Sequence, residues 1–211
     1  ARFNAAPGTN GMAGFTFTAT DPAAAVSFGP VGYGILITTT NAPNTPPTLA
    51  TISNYTRLAG ATLVFTNQAS DADLPAQTLT FSLLSPAAGA TVATNSGVFS
   101  WRPALAQGGS SNTFRVVVTD SGVPALSATQ AFGVQVAIPT NPVLQSAGWS
   151  NGLFSLLVSG NEGPDYHMQT STNLLNWADA TNLVSPALPF LWTDSAGTNF
   201  RQRFYRTLLG P

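Results

Sequence analysis

Two aspartates, Asp71 and Asp73, stand two positions apart in SDADLPAQTLTFSL, just ahead of an alternating apolar run. Side chains at i and i+2 of an extended segment point to the same side, so both carboxylates face one way. Paired hard-oxygen anions are the beginning of a calcium site, which takes about six to eight oxygen ligands. The same residues also suit a simpler task. Asp oxygens ahead of a strand accept hydrogen bonds from nearby backbone amides and fix a turn. These residues alone leave both readings open.

Little else in the chain offers chemistry. His167, in the strand-like YHMQ, is the only histidine, so a catalytic triad or multi-histidine centre would rest on one imidazole. There is no cysteine, which excludes disulfides, thiolate catalysis and sulfur-ligated zinc. All seven basic residues are arginine, which excludes a lysine base, a Schiff base and a Lys-to-Asn isopeptide bond. Glu162 and Asp165 imitate a glycosidase pair, but both sit in the turn NEGPD, where acids serve local hydrogen bonding. The expectation is therefore a protein that is not an enzyme. Asn54 begins the only N-glycosylation sequon, Asn54-Tyr55-Thr56.

Composition narrows the partners. Charged residues are 7% of the chain, against about 25% in an ordinary globular domain. Net charge is -1 and no basic run occurs, so a nucleic-acid surface has no electrostatic basis. No window approaches about 18 uninterrupted apolar residues, so membrane insertion is not expected either. The polar surface must consist of hydroxyls and amides. Such a composition suits a secreted, extracellular bacterial surface protein. ARFNAAPGTN carries no visible signal peptide, and the expectation is a processed chain or a fragment.

Strand-like runs dominate: FTFTAT, TLTFSLL, FRVVVTD, FGVQVA and LFSLLVSG, separated by GTNG, NSG, QGGSSN, DSGVP and NEGPD. Many short strands between turns predict antiparallel sandwiches. FTFTATD, ending at Asp21, recurs as FRVVVTD, ending at Asp120, an offset of 99 residues. At that offset ILI at 35–37 falls opposite VQV at 134–136, and RFNA near the start resembles WRPA. Residues 1–44 are thus expected to be the C-terminal half of a sandwich. Alone, it would expose Phe15, Phe17, Phe28 and Ile35, so upstream domains of the same polypeptide or a strand from another copy must cover it. Packing on the domain that follows is the third possibility.

Residues 45–138 resemble the bacterial cadherin-like, Ig-like modules of large secreted proteins. The resemblance runs from TPPTLATI through GATLVFTNQASDADLPAQTLTFSL and GVFSWRP to FRVVVTDSGVPALSATQAFGVQV. It implies a Greek-key sandwich of about 100 residues. In calcium-binding cadherins the paired acids and an Asp of the late strand meet beside the preceding linker. The matching positions are Asp71, Asp73 and Asp120, with Asn41 and Asn44 as carbonyl donors. ALAQGGSSN and IPTNP stand where the family carries further acids, so the resemblance implies weakly bound calcium or no cofactor. Trp101 lies two residues after Phe99 on the same face, which places it in the core.

Residues 139–211 concentrate aromatics. GPDYHMQTSTNLLNW, FLWTD and RQRFYRTLLGP resemble a small β-module that closes many multidomain secreted bacterial proteins. STNLLNW is read as one helical turn with Leu174 meeting Trp177. Trp149, Trp177 and Trp192 are candidate sugar-stacking rings, against the alternative that so small a core needs aromatic bulk. Arg201, Arg203 and Arg206 are read as a solvated strand face paired with Asp179 and Asp194.

The expected fold is therefore all-β: tandem Ig-like or cadherin-like antiparallel sandwiches, the first incomplete at 1–44, the second complete at 45–138, and a small aromatic-rich sandwich at 139–211. The expected function is a non-enzymatic extracellular structural or adhesion protein, a fibre or stalk subunit assembling head to tail through its incomplete N-terminal sandwich. The partner is then the protein itself, by strand complementation or end packing, or upstream domains of the same polypeptide. The alternative is a carbohydrate-binding accessory region of a larger secreted hydrolase, with glycans as the ligand.

Overall fold

A computed structural model describes residues 11–21 and 26–37 as backbone and residues 43–210 in full. The expectations concerning the side chains of Phe15, Phe17, Phe28 and Ile35, and concerning Asn41, lie outside the described residues. The described chain is all-β, with two short 3-10 turns and no α-helix. Among the described residues no helix is long and apolar enough to cross a membrane.

Strands β1 (Gly11–Asp21) and β2 (Val26–Ile37) form an antiparallel hairpin. The central module follows, with β3 (Thr48–Leu49), β4 (Tyr55–Leu58), β5 (Leu63–Thr66), β6 (Ala69–Ser70) and β7 (Thr80–Leu84). Next come β8 (Thr91–Val92), β9 (Val98–Trp101), β10 (Ser111–Thr119) and β11 (Ser127–Ala137). One sheet has the order β4-β11-β10-β7; the other runs β5-β9-β8, beside the small pair β3-β6. β4 joins β11 in parallel, while β10 pairs antiparallel with both β11 and β7.

Alternation explains the packing. In β10, Phe114, Val116 and Val118 are fully buried while Arg115 faces out; in β11, Phe132, Val134 and Val136 turn inward. Phe99 and Trp101 of β9 meet them from the opposite sheet, with Trp101 4.8 Å and Phe99 5.2 Å from the Phe114 ring. Each such side chain contributes about 1.5–3 kcal/mol on burial. The Trp101 ring is enclosed, and its indole N–H donates to the Ala88 carbonyl at 3.1 Å.

The 99-residue sequence offset is also an offset of pairing register. Phe17 pairs with Val31 as Val116 pairs with Gln130, Phe15 with Tyr33 as Phe114 with Phe132, and Met12 with Leu36 as Ser111 with Gln135. The match lapses only past a bulge between Phe17 and Ala19. β1 and β2 therefore repeat the β10–β11 hairpin in backbone as well as in sequence.

The C-terminal module stacks β12 (Val143–Ser150), β13 (Leu153–Ser159) and β16 (Phe190–Asp194) on β14 (Asp165–Ser171), β15 (Ala178–Leu183) and β17 (Phe204–Gly210). Asn151-Gly152 makes the β12–β13 turn, with φ of 49° and 77°, the left-handed pair that a tight hairpin requires. Leu156, Val158, Tyr166, Met168 and Trp192 form the core.

STNLLNW forms no helical turn. The Ser171 hydroxyl accepts the amides of Asn173 and Leu174, the Asn173 side-chain oxygen accepts those of Leu175 and Asn176, and Leu174 turns to φ of 64°. Short polar side chains have captured the amides a helix would have used.

Candidate functional site

Asp71, Asp73 and Asp120 sit near one end of the central sandwich, beside the strand entry at Asn44 and Thr45. Each is held by a separate set of donors. Asp120 is buried, and its carboxylate accepts the backbone amides of Gly122 at 2.9 Å and Leu126 at 3.0 Å. The Asn44 side-chain nitrogen bridges both Asp120 oxygens at 3.1 Å and reaches the Pro124 carbonyl at 2.9 Å. Burial works to raise the Asp120 carboxyl, but the Leu126, Gly122 and Asn44 N–H groups outweigh it and hold it below its ordinary 3.8. A Cβ at position 122 would meet the Asn44 side chain, so a larger residue there displaces Asn44 from its bridging position.

Asp73 accepts the Thr45 amide at 2.7 Å, the Thr45 hydroxyl at 2.8 Å and the Gln77 side-chain nitrogen at 3.2 Å. Gln77 also donates to the Asn44 side-chain oxygen, which links the Asp73 and Asp120 sets. Asp71 accepts the Asp73 amide at 2.9 Å through Oδ1. Its Oδ2 and the Gln77 Oε1 are buried without a hydrogen-bond partner. Among the described residues no group of three acidic, histidine or cysteine side chains lies close enough to hold a metal.

Calcium requires oxygens aimed at a common point. Here Asn44 and Gln77 turn their nitrogens, not their carbonyls, toward Asp120 and Asp73. These N–H groups engage the Asp120 and Asp73 oxygens, and the three carboxylates form no common cluster, so the residues as arranged do not fit calcium. Millimolar calcium or a chelator is expected to move the melting temperature by less than about 1 °C, since an ion that does not bind the native state adds nothing to its stability. A rise of several degrees, followed by calorimetry, would contradict this. Asn44→Asp places a carboxylate against Asp120 and removes its bridging donor. It should cost about 1–3 kcal/mol in denaturant titration.

The three tryptophans do not make one platform. Trp149 is 67% exposed and tilts against Phe154 at 5.4 Å. Trp192 is 8% exposed, with its N–H donating to Thr181, so neither ring face is open. Trp177 is half-buried; its N–H donates to the Leu174 carbonyl and the Arg206 guanidinium lies 4.3 Å over its ring. Asn54 is exposed, though its side-chain oxygen accepts the Gly133 amide at 2.7 Å.

The arginines also depart from a uniformly solvated face. Arg203 is largely buried and bonds both oxygens of buried Asp194 at 2.8 Å. Arg206 bonds Gln169, whose amide nitrogen reaches Asp179. His167 lies in β14, two residues from Asp165, and Asp165 is engaged by Arg102, which removes it from any carboxylate pair with Glu162. Sequence reasoning missed Gln77 and Thr45 as parts of the corner, and Arg102 altogether. Arg102 had one legible signal: it alternates with buried Trp101, so it must face away from its own core.

Residues 46–137 match the family model described as Putative Ig domain. No curated protein matches the chain. Among solved structures, human CDH23 EC21-23 is 15% identical, covered over 91% of this chain and 71% of its own, with a TM-score of 0.41. Mouse Cadherin-23 EC22-24 is 26% identical over 59% of this chain and 42% of its own, TM-score 0.38. A nucleoside hydrolase-related hypothetical protein from Saccharophagus degradans, associated with carbohydrate metabolism, is 18% identical over 48% of this chain and 28% of its own, TM-score 0.39. The chain thus spans less than two thirds of the last two. No catalytic domain is identified in it. The two-sheet order and the match to the Putative Ig domain model coincide over residues 46–137, the central module of an all-β chain.

Proposed function

We propose that the protein is a non-enzymatic, extracellular structural or adhesive protein built from β-modules in series. The observation that carries this is the hairpin repeat: β1–β2 reproduces the β10–β11 register at a spacing of 99 residues, the spacing of successive Ig-like modules. Serial modules separate two ends in space and need no reactive group to do so. The scarcity of charge supports close contact between copies, because little repulsion opposes it. Assembly into a fibre or stalk follows this reading: β1 and β2 pair with each other and with no other described strand, whereas β10 and β11 are flanked by β7 and β4. Upstream chain or a second copy would supply those flanking strands. Electron microscopy of the native material is expected to show end-to-end filaments or stalks. Dispersed monomers at every concentration would end the polymer reading.

A second reading, sugar binding by an accessory region, is favoured by one observation, the exposed Trp149 ring. A glycan array separates the two. Binding lost in Trp149→Ala with the fold retained would support the accessory region, and absence of binding by the native chain supports the structural reading.

A further inference from the structure

Arg102 leaves the central module at the end of β9 and enters the C-terminal one. Its Nε donates to the Gly60 carbonyl of its own module at 2.6 Å. Its terminal nitrogens donate to the Asp165 carboxylate at 2.6 and 3.4 Å, to the Gly163 carbonyl at 3.2 Å and to the Ser185 hydroxyl at 3.3 Å. Asp165 and Ser185 are themselves fixed: the Ser185 amide donates to Asp165 at 3.0 Å and its hydroxyl to the Gly163 carbonyl at 2.6 Å. The guanidinium therefore meets a prearranged set of acceptors from two segments of the neighbouring module.

Backbones also meet at this joint. A Cβ on Gly60, at φ of 84°, would come within 2.9 Å of the Pro164 Cα, and one on Gly163, at φ of 114°, would collide with Ala61. Close approach on both sides is thus built from glycines that L side chains cannot replace without strain. Burial alone would raise the Asp165 carboxyl, but the Arg102 hydrogen bond, the Ser185 amide and the charges of Arg102 and His167 hold it below 3.8.

We propose that this interface is a rigid joint, with Arg102 as the latch that makes residues 46–137 and the C-terminal module one body. Arginine is specific to the role. Its planar fork spans the Gly60 carbonyl and the Asp165 carboxylate together, which a lysine ammonium cannot do. Load applied to one module passes through the joint without a hinge.

Residual dipolar couplings of backbone amides in the full chain test the latch. The native protein is expected to give one alignment tensor for both modules. Arg102→Ala and Arg102→Lys should each give two, with amide shifts away from the joint unchanged. Gly163→Ala, which wedges the joint from its other side, should do the same. Two tensors in the native chain, or a single tensor retained in Arg102→Ala, would overturn the latch while leaving the serial-module reading intact.

Discussion

Trp101→Ala is expected to cost the central module about 3–5 kcal/mol, a large share of the roughly 5–15 kcal/mol that holds an ordinary domain together. The ring is fully enclosed between the sheets, so its removal leaves a cavity lined by Phe114 and its neighbours. It also strands the Ala88 carbonyl, which accepts the indole N–H. Guanidinium titration should show the midpoint of this module falling sharply. Trp149→Ala, at an exposed site, should change stability by no more than about 0.5 kcal/mol. A loss below about 1 kcal/mol at Trp101 would mean that the two sheets close on each other by some other contact.

Asp194→Ala should be as severe in the C-terminal module. Asp194 is buried, and its carboxylate receives Arg203, the Tyr205 hydroxyl at 2.9 Å and the Ala196 amide at 3.1 Å. Truncation leaves the largely buried Arg203 guanidinium unpaired, a loss of about 3–5 kcal/mol. A core this small supplies only about that much in total, so the module should unfold while the central one survives. Loss of the near-ultraviolet signal of Trp192 would report it. Asp194→Ala combined with Arg203→Met should recover much of the loss, because no stranded charge remains.

The same cluster sets an alkaline limit. Burial, the Asp194 hydrogen bond and the Asp194 charge push the Tyr205 hydroxyl up from 10.0 to about 12. A folded value above the unfolded one stabilises the module below pH 10, and that contribution is lost as pH climbs toward 12. At Asp165 the sign is opposite. The depressed carboxyl favours the joint fully above 3.8, and the contribution fades as pH falls through the lower folded value.

The sandwich was legible from alternation, because Phe114, Val116 and Val118 must share a face whatever their partners are. The hairpin repeat was legible too, since the same residue pattern at a spacing of 99 imposes the same register. Side-chain pairing across the chain was not. Asn44 could offer Asp120 a carbonyl or an amide nitrogen, and only the arrangement of neighbouring acceptors decides which. Arg102 and Asp165 are 63 positions apart, and no local pattern joins a strand-end arginine to an acid in a turn. The aromatic C-terminal stretch likewise gave a count of rings without their exposure; Trp149 and Trp192 share a sheet face through their partners Phe154 and Leu156, yet Trp149 stays exposed while Trp192 is enclosed against Tyr205.

Serial arrangement of the modules is the central claim, and small-angle X-ray scattering of the full chain tests it most directly. A compact globule of this length has a radius of gyration of about 17 Å. Modules in line predict a value well above that, with a distance distribution tailing to long separations, at every concentration examined. A value at about 17 Å with a symmetric distribution would contradict the account.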